Sequence, residues 1–359
     1  MMDFVYDALP GRVVFGVESL QSLPDEAARL GIENALVVCT PGGRRRMGKV
    51  TAGLGDRLAG VFDRVVMHVP AALAEAAREA ARQLGADGCV AIGGGSAIGL
   101  AKAVALDSGL PILAVPTTYA GSEMTPILGM TEGRVKRTMR HARVLPKTVI
   151  YDPVLTLGLP PRISAASGLN AIAHSVEALY AKAANPITSM LAEEGIAALA
   201  EGLPVVVERP DDIDARSRAL YGAFLCGAAL GAVGMGIHHK LCHVLGGSFD
   251  LPHAETHAVL LPHTAAFNRQ AAAVAMARVA RALGAEDAPA GLWELAGRIG
   301  APRALEPIGM AADDLDEAAE IATRDPYDNP RPVTREAVRM LLDDAYHGRR
   351  PKELANQTV

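Results

Sequence analysis

VAIGGGSAIGLAK, residues 90–102, carries an apolar, β-branched run into three glycines and a serine, and from there into a helix-forming segment. A strand that enters a helix through glycines is the characteristic join of a doubly wound α/β domain. Glycines let the backbone approach a pyrophosphate without Cβ clashes, and the first N–H groups of the helix, at the positive end of its dipole, hold the charge. Gly93, Gly94, Gly95 and Ser96 therefore read as a dinucleotide phosphate cradle, although a plain tight turn would use the same residues.

Working outward, short β-branched runs alternate with Ala-rich helical segments up to about residue 155. Strands are expected at Ala35–Cys39, Arg64–Val69, Gly88–Ile92, Ile112–Val115 and Thr148–Tyr151, with helices at Leu73–Leu84 and Ser96–Leu106. After Asp152-Pro153 the turn-rich LGLPPRIS gives way to long helical patterns. Helices are expected at Ser164–Ala183, Pro186–Val207, Ala215–Val233, His238–Gly246, His257–Ala282, Gly291–Ile299, Met310–Ala322 and Thr334–His347. Two domains follow: an α/β nucleotide-binding domain over 1–155 and an α-helical domain over 156–359.

Composition narrows the class. Of 359 residues, 50% are apolar and 21% charged, the balance of a chain that buries a large core. A net charge of -5 provides no broad cationic face for nucleic acid or anionic lipid, so neither is expected as a partner. Cys39, Cys89, Cys226 and Cys242 form no C-x-x-C pair and read as buried free thiols of a reducing compartment. The opening MMDFVYDALPGRVVFG has no basic segment followed by an apolar one, and no charge-free apolar run approaches ~20 residues. A cytoplasmic protein, assembled as a homodimer, is expected.

Two further motifs carry chemistry. AVPTTYAGSEMTP, residues 114–126, follows an apolar strand and places Thr117, Thr118, Ser122 and Thr125 at its C-terminal end, where doubly wound sheets bind ligands. Thr117, Thr118 and Ser122, with Thr40 after the strand ALVVC and Lys136, join the cradle as candidate coenzyme contacts. The strand ending in Thr40 is followed by PGGRRR rather than by the acid that holds a ribose 2′-OH, so NADPH is compatible beside NADH. The second motif is histidine-rich. Seven of the ten histidines fall at positions 174, 238, 239, 243, 253, 257 and 263. Asn170 and His174 share one helical face at i, i+4, and His239 and His243 repeat the spacing.

GGGS followed by Lys102, then PTTYAGSE, G-L-N-A-x-A-H, H-H-K-L-C-H-x-L-G-G and P-H-A-E-T-H, in this order over residues 10–270, resemble the iron-type (group III) alcohol dehydrogenases. That superfamily has the two-domain fold expected above. In its metal-dependent members one aspartate and three histidines bind the ion, and by motif these fall at Asn170, His174, His239 and His253. An asparagine at the aspartate position removes the only anionic ligand and implies a site without a resident metal. A second departure is Gly99, where related chains often carry an aspartate. The fuller strings NAIAHSVEALYA and HHKLCHVLGGSFDLPHAETH resemble the maleylacetate reductases, which use NADH or NADPH to reduce the carbon–carbon double bond of maleylacetate to 3-oxoadipate in aromatic-compound degradation.

The resemblance implies an oxidoreductase acting on a small dicarboxylate. An enone conjugated to carboxylates can accept hydride with hydrogen-bond donors in place of a metal. His243, His239, His174, His253 and Lys240 are the candidate catalytic residues, with protonated imidazoles expected to replace the ion. Asn170, Arg331, His257 and Tyr327 are candidates for holding the substrate, Lys240 or Arg331 taking a carboxylate. The competing readings are a metal-dependent alcohol or lactaldehyde dehydrogenase and, outside the redox enzymes, a lyase resembling 3-dehydroquinate synthase. The lyase should retain an acidic metal ligand and several cations for a phosphorylated substrate, which Asn170 and the single Lys240 do not supply.

Overall fold

The structure, a computed structural model, describes residues 4–6, 8–9, 11–133 and 135–352; the side chains of 44–47 and 135–136 lie outside the described set. Six strands form one parallel sheet: β1 (Arg12–Phe15), β2 (Ala35–Cys39), β3 (Leu58–Phe62), β4 (Gly88–Gly93), β5 (Ile112–Pro116) and β8 (Thr148–Tyr151), in the order β1-β8-β5-β4-β2-β3. β2, β5 and β8 are buried along their whole length, as expected of a parallel sheet covered on both faces. The covering helices are α1 (Leu23–Arg29), α2 (Met47–Leu54), α3 (Ala71–Gln83) and α4 (Gly95–Ser108). An antiparallel hairpin, β6 (Ile127–Glu132) with β7 (Val135–Arg140), projects from this layer.

Among the described residues nine α-helices follow: α5 (Pro161–Tyr180), α6 (Pro186–Glu208), α7 (Ile213–Gly231), α8 (Ile237–Ser248), α9 (His253–Asn268), α10 (Ala273–Leu283), α11 (Ala288–Arg298), α12 (Leu315–Thr323) and α13 (Arg335–Tyr346). α5 is buried on every side from Ser164 to Leu179, so it is the central helix and not an amphipathic surface one. α6 and α7 pack backbone to backbone across glycines: a Cβ on Gly222 would sit 2.9 Å from the carbonyl oxygen of Gly195. A second core joins α8, α9, α12 and α13. No described helix is long and apolar enough to cross a membrane.

Several sequence expectations shift. The strand expected at Arg64–Val69 is a loop, and the strand that pairs with β2 lies earlier, at Leu58–Phe62. His68 and Val69 both have positive φ, 63° and 45°, which breaks an extended run just before Pro70. The single helix expected over His257–Ala282 is two, α9 and α10, interrupted after Asn268; the helix expected from Met310 starts at Leu315. β1 and the hairpin were not foreseen, because four residues of β1 and the Gly-interrupted run of the hairpin leave little alternation to read.

The helical layer is fastened to the sheet layer beside β5. Gly121, in the left-handed region at φ 75°, lies against α7, where a Cβ on Gly227 would overlap the carbonyl of Gly121. Fully buried Arg216 of α7 donates to the Tyr119 hydroxyl at 3.1 Å, to Ser164 Oγ at 2.9 Å and to the Leu159 carbonyl at 3.1 Å. Arg140 of β7 donates to the carbonyls of Gly231 and Val233 at the C-terminus of α7, where the helix dipole favours a cation.

Candidate active site

A cleft of about 940 Å³ opens beyond the C-terminal ends of β4 and β5 and reaches the first turns of α5 and α9. Gly93 and Pro116 are register partners, so the sheet itself brings the glycine turn beside the Thr117–Ser122 loop, and Thr117 N–H donates to the Gly93 carbonyl at 3.0 Å. Gly93 has φ 144°, open to glycine alone. Gly94 caps α4 with no side chain on the helix's first N–H groups, and a Cβ there would meet Thr118 at 2.9 Å. Gly93, Gly94, Gly95, Ser96, Thr117, Thr118, Ser122 and Thr40 all line this half of the cleft. The backbone of Lys136 belongs to β7, and its side chain lies outside the described residues, as do those of Arg44–Arg46.

Lys102, one face of α4 onward, is buried and staples the loop in place. Its ammonium donates to the carbonyls of Ser122 at 2.6 Å, Thr125 at 2.8 Å and Ile127 at 2.8 Å. Burial pulls its pKa down to about 7 against the opposing charge of Glu123. With its three N–H groups directed at carbonyls, Lys102 is a positioning group rather than an anion clamp.

The other half of the cleft is lined by Asn170 and His174 from α5, His239 and His243 from α8, and His253 at the start of α9. The pairs expected at i, i+4, Asn170/His174 and His239/His243, line this one cleft, the latter with ring centroids 6.1 Å apart, and the His174 and His239 rings stack between the two helices at 5.2 Å; His253 and His257 meet edge to face at 4.5 Å. His257 is fully buried and stands behind the lining, one turn deeper along α9. Its neighbours fix its tautomer. Thr264 Oγ1 donates to carbonyls of its own helix, so it accepts from His238 Nδ1 at 3.0 Å. Burial drives His238 down to about 3, against the charge of Glu177, so it is neutral and its Nε2 accepts from His257 Nδ1 at 2.8 Å. Burial, with the charge of neighbouring imidazoles, also holds His174 and His257 well below the usual histidine range. An apolar interior favours the uncharged ring at these three positions.

His239 differs because it has an anionic partner. Glu177 of α5, absent from the sequence-derived candidates, accepts from His239 Nδ1 at 2.6 Å and from the N–H groups of Gly236 and His238 at 2.9 and 2.8 Å. Burial alone would raise the Glu177 pKa; the charge and hydrogen bond of His239, with His238 and the Gly236 N–H, outweigh it and hold the carboxyl down at about 2. One carboxylate thus caps the N-terminus of α8 and orients the His239 ring. The pattern N-x-x-x-H-x-x-E places Glu177 on the face of Asn170 and His174, a signal that was available. Asn170 Oδ1, His174 Nδ1 and His239 Nε2 are buried with no hydrogen-bond partner among the described residues, which marks them as groups that meet a ligand.

Lys240, Tyr327 and Arg331 are not brought to the cleft lining. Lys240 is one residue past His239 and so turned about 100° around α8; its ammonium lies 5.7 Å from the Tyr327 ring centroid. Arg331 covers the Phe267 ring at 4.7 Å. Among the described residues the lysine and arginine of the lining are Lys102 and Arg162, and Arg162, in the first turn of α5, pairs with Glu255 of α9 at 3.4 Å. Nothing in LGLPPRIS singled Arg162 out, since its role depends on the loop folding over the sheet's edge.

The four family positions supply three imidazoles and an amide, with no anionic ligand. Asn170 contributes a neutral amide where an anionic ligand would offset the ion's charge, and the donor atoms of His174, His239 and His253 do not gather within 4.8 Å of one another. The group that does gather among the described residues is His238, Cys242 and His257, all buried. There the two imidazoles already engage each other by hydrogen bond.

Comparison with known proteins places the whole chain. The model of the iron-containing alcohol dehydrogenase family matches residues 10–153, and that of the C-terminal domain of the Fe-containing alcohol dehydrogenase family matches 164–346. The maleylacetate reductase of Burkholderia cepacia is 56% identical over 351 residues, 98% of this chain and 100% of the relative. The crystal structure of maleylacetate reductase from Agrobacterium tumefaciens superposes with a TM-score of 0.92 at 54% identity, over 98% of this chain and all of that one. An iron-containing alcohol dehydrogenase from Corynebacterium glutamicum gives 0.91 at 44% identity, over 96% and 97% of the two chains.

Proposed function

Since the chain belongs to the iron-containing alcohol dehydrogenase family, we propose that it is an NAD(P)H-dependent maleylacetate reductase that works without a bound metal. The observation that carries this reading is the pairing, in one cleft, of a glycine cradle for the coenzyme with an amide-and-imidazole pocket at the positions where metal-dependent members bind their ion. Full-length identity of 52–56% to several maleylacetate reductases supports it.

When bound by the glycine cradle, NAD(P)H would supply the hydride for the alkene carbon β to the substrate ketone, and the adjacent carbon would take its proton from solvent. Negative charge builds on the ketone oxygen as an enolate, and that oxygen needs a donor. His239 is suited to this when its ring carries two protons: Nδ1–H is held by Glu177, and the buried, unpartnered Nε2 would then offer its N–H to the oxygen. His243 lies beside it, 3.4 Å from Thr138 Oγ1. Neutral His174 and Asn170 orient the substrate. A carboxylate is held by Arg162, the cation of the lining whose N–H groups are not directed at carbonyls.

The test is absorbance at the nicotinamide band. Protein treated exhaustively with chelator should consume NADH with maleylacetate at the untreated rate and leave simple aldehydes unreduced. Loss of activity restored by Fe²⁺ or Zn²⁺ would overturn the metal-free mechanism, and aldehyde reduction without maleylacetate reduction would overturn the substrate.

A further inference from the structure

We propose that His68, contributed by the sheet layer, is a second dicarboxylate-binding residue of the cleft, donating an imidazole N–H to a substrate carboxylate. The inference rests on the dicarboxylate reading above and extends it to a residue outside the histidine-rich motifs. His68 and Val69 both sit in the left-handed backbone region, at φ 63° and 45°. Such a conformation is costly for any residue with a Cβ, and for β-branched Val69 it is a genuine outlier, so the surrounding structure must enforce it. It does: Thr131 of β6 donates its N–H to the Val69 carbonyl at 3.2 Å and its hydroxyl to the His68 carbonyl at 3.0 Å.

Two positions without side chains make room for the turn. A Cβ at Gly99 of α4 would come 3.0 Å from Val69 Cγ2, and one at Gly246 of α8 would come 3.2 Å from His68 Cε1. The imidazole is thereby delivered across the gap between layers, onto α8 and edge-on to His253 at 6.4 Å, where it lines the cleft. Its Nε2 is 3.9 Å from the carboxylate of Asp250, whose side chain is 95% exposed. Filling space against glycine requires no heteroatom and no strained backbone; presenting an N–H at a fixed point of the cleft lining accounts for both.

The experiment compares His68→Leu, which keeps bulk and removes the N–H, with His68→Asn, which tolerates left-handed backbone and keeps an N–H. His68→Leu should raise the KM for maleylacetate about tenfold or more, the loss of a hydrogen bond to a charged group, while the NADH Kd from fluorescence stays within about twofold. His68→Asn should recover most of the loss. Maleate, an unreactive dicarboxylate, should bind the NADH complex of the wild type more tightly than that of His68→Leu by calorimetry. Unchanged KM and maleate affinity in His68→Leu, or an equal loss of NADH affinity, would overturn the inference. If wild-type protein does not turn over maleylacetate, the reading above fails on its own, and the maleate comparison still decides the role of His68: no binding, or equal binding, overturns it. Should His68→Leu not fold, His68→Ala takes its place in both arms.

Discussion

Replacing Glu177 by glutamine tests the anchor of the site. The two carboxylate oxygens receive four donors: the N–H groups of Gly236 and His238, His239 Nδ1–H, and the Tyr180 hydroxyl at 3.2 Å. Glutamine offers one acceptor oxygen. If it faces Gly236 and His239, the amide nitrogen confronts the His238 N–H, and a buried donor is left unpaired at a cost of ~1–3 kcal/mol. The charge-assisted bond to His239 weakens to a neutral one, by ~1 kcal/mol more. The depressed pKa of the carboxyl agrees in sign, since the folded site favours the charged form. Together these losses come to about 3 kcal/mol, or a fall in Tm of roughly 4 °C for a chain of 359 residues. The wild-type advantage is complete above the ordinary carboxylate range and fades as pH falls through 4.5 towards 2. With the His239 ring no longer fixed, kcat should drop about 10–100-fold with a smaller change in KM. Thermal melts at neutral pH and steady-state NADH oxidation measure both. A Glu177→Gln protein that melts with the wild type and keeps kcat within twofold would refute the assignment of Glu177 as anchor.

Other outcomes are open to direct measurement. Gly94→Val places carbon where Thr118 already lies 2.9 Å from a Cβ, and should raise the coenzyme KM about tenfold or more; normal NADH binding by the folded variant would remove the cradle from this turn. Arg162→Ala should raise the maleylacetate KM about tenfold with kcat little changed, whereas Lys240→Ala should leave both constants within about twofold; the opposite pattern would return the clamp to Lys240. Burial pushes His263 down to about 4 against the charge of Asp344, so the unfolded chain binds the extra proton as pH falls from 6.5 towards 4, and the wild type loses up to about 3 kcal/mol on that account. His263→Phe should therefore lose less Tm between pH 7 and 4.5 than the wild type, and parallel curves would contradict the buried neutral ring.

The sheet layer was legible because its signals are local. Buried β-branched strands and a strand–glycine–helix join report themselves within a dozen residues, and the i, i+4 pairs Asn170/His174 and His239/His243 needed only the helical repeat. What stayed hidden depends on pairs far apart in the chain. His239 gains its character from Glu177, 62 residues earlier. Lys240 looked catalytic by adjacency, yet a rotation of one residue around α8 sends it to Tyr327. The loop at 64–69 read as a strand because VVMHV has the right composition, while its geometry is imposed by Thr131 and by bare positions at Gly99 and Gly246.

The contact of Gly121 with Gly227 divides the cleft into a wall that can drift and one that cannot. Where two backbones touch, every substitution at either residue adds atoms to occupied space, and Arg216 bolts the same edge from within. Mutation can therefore explore substrate range only from the opposite side, through the 67–69 turn, the α8–α9 corner and the first turn of α5. A lineage descended from this chain would change its substrate there while keeping its coenzyme, and directed evolution libraries confined to that side should yield folded variants at a much higher rate than libraries spread over the seam.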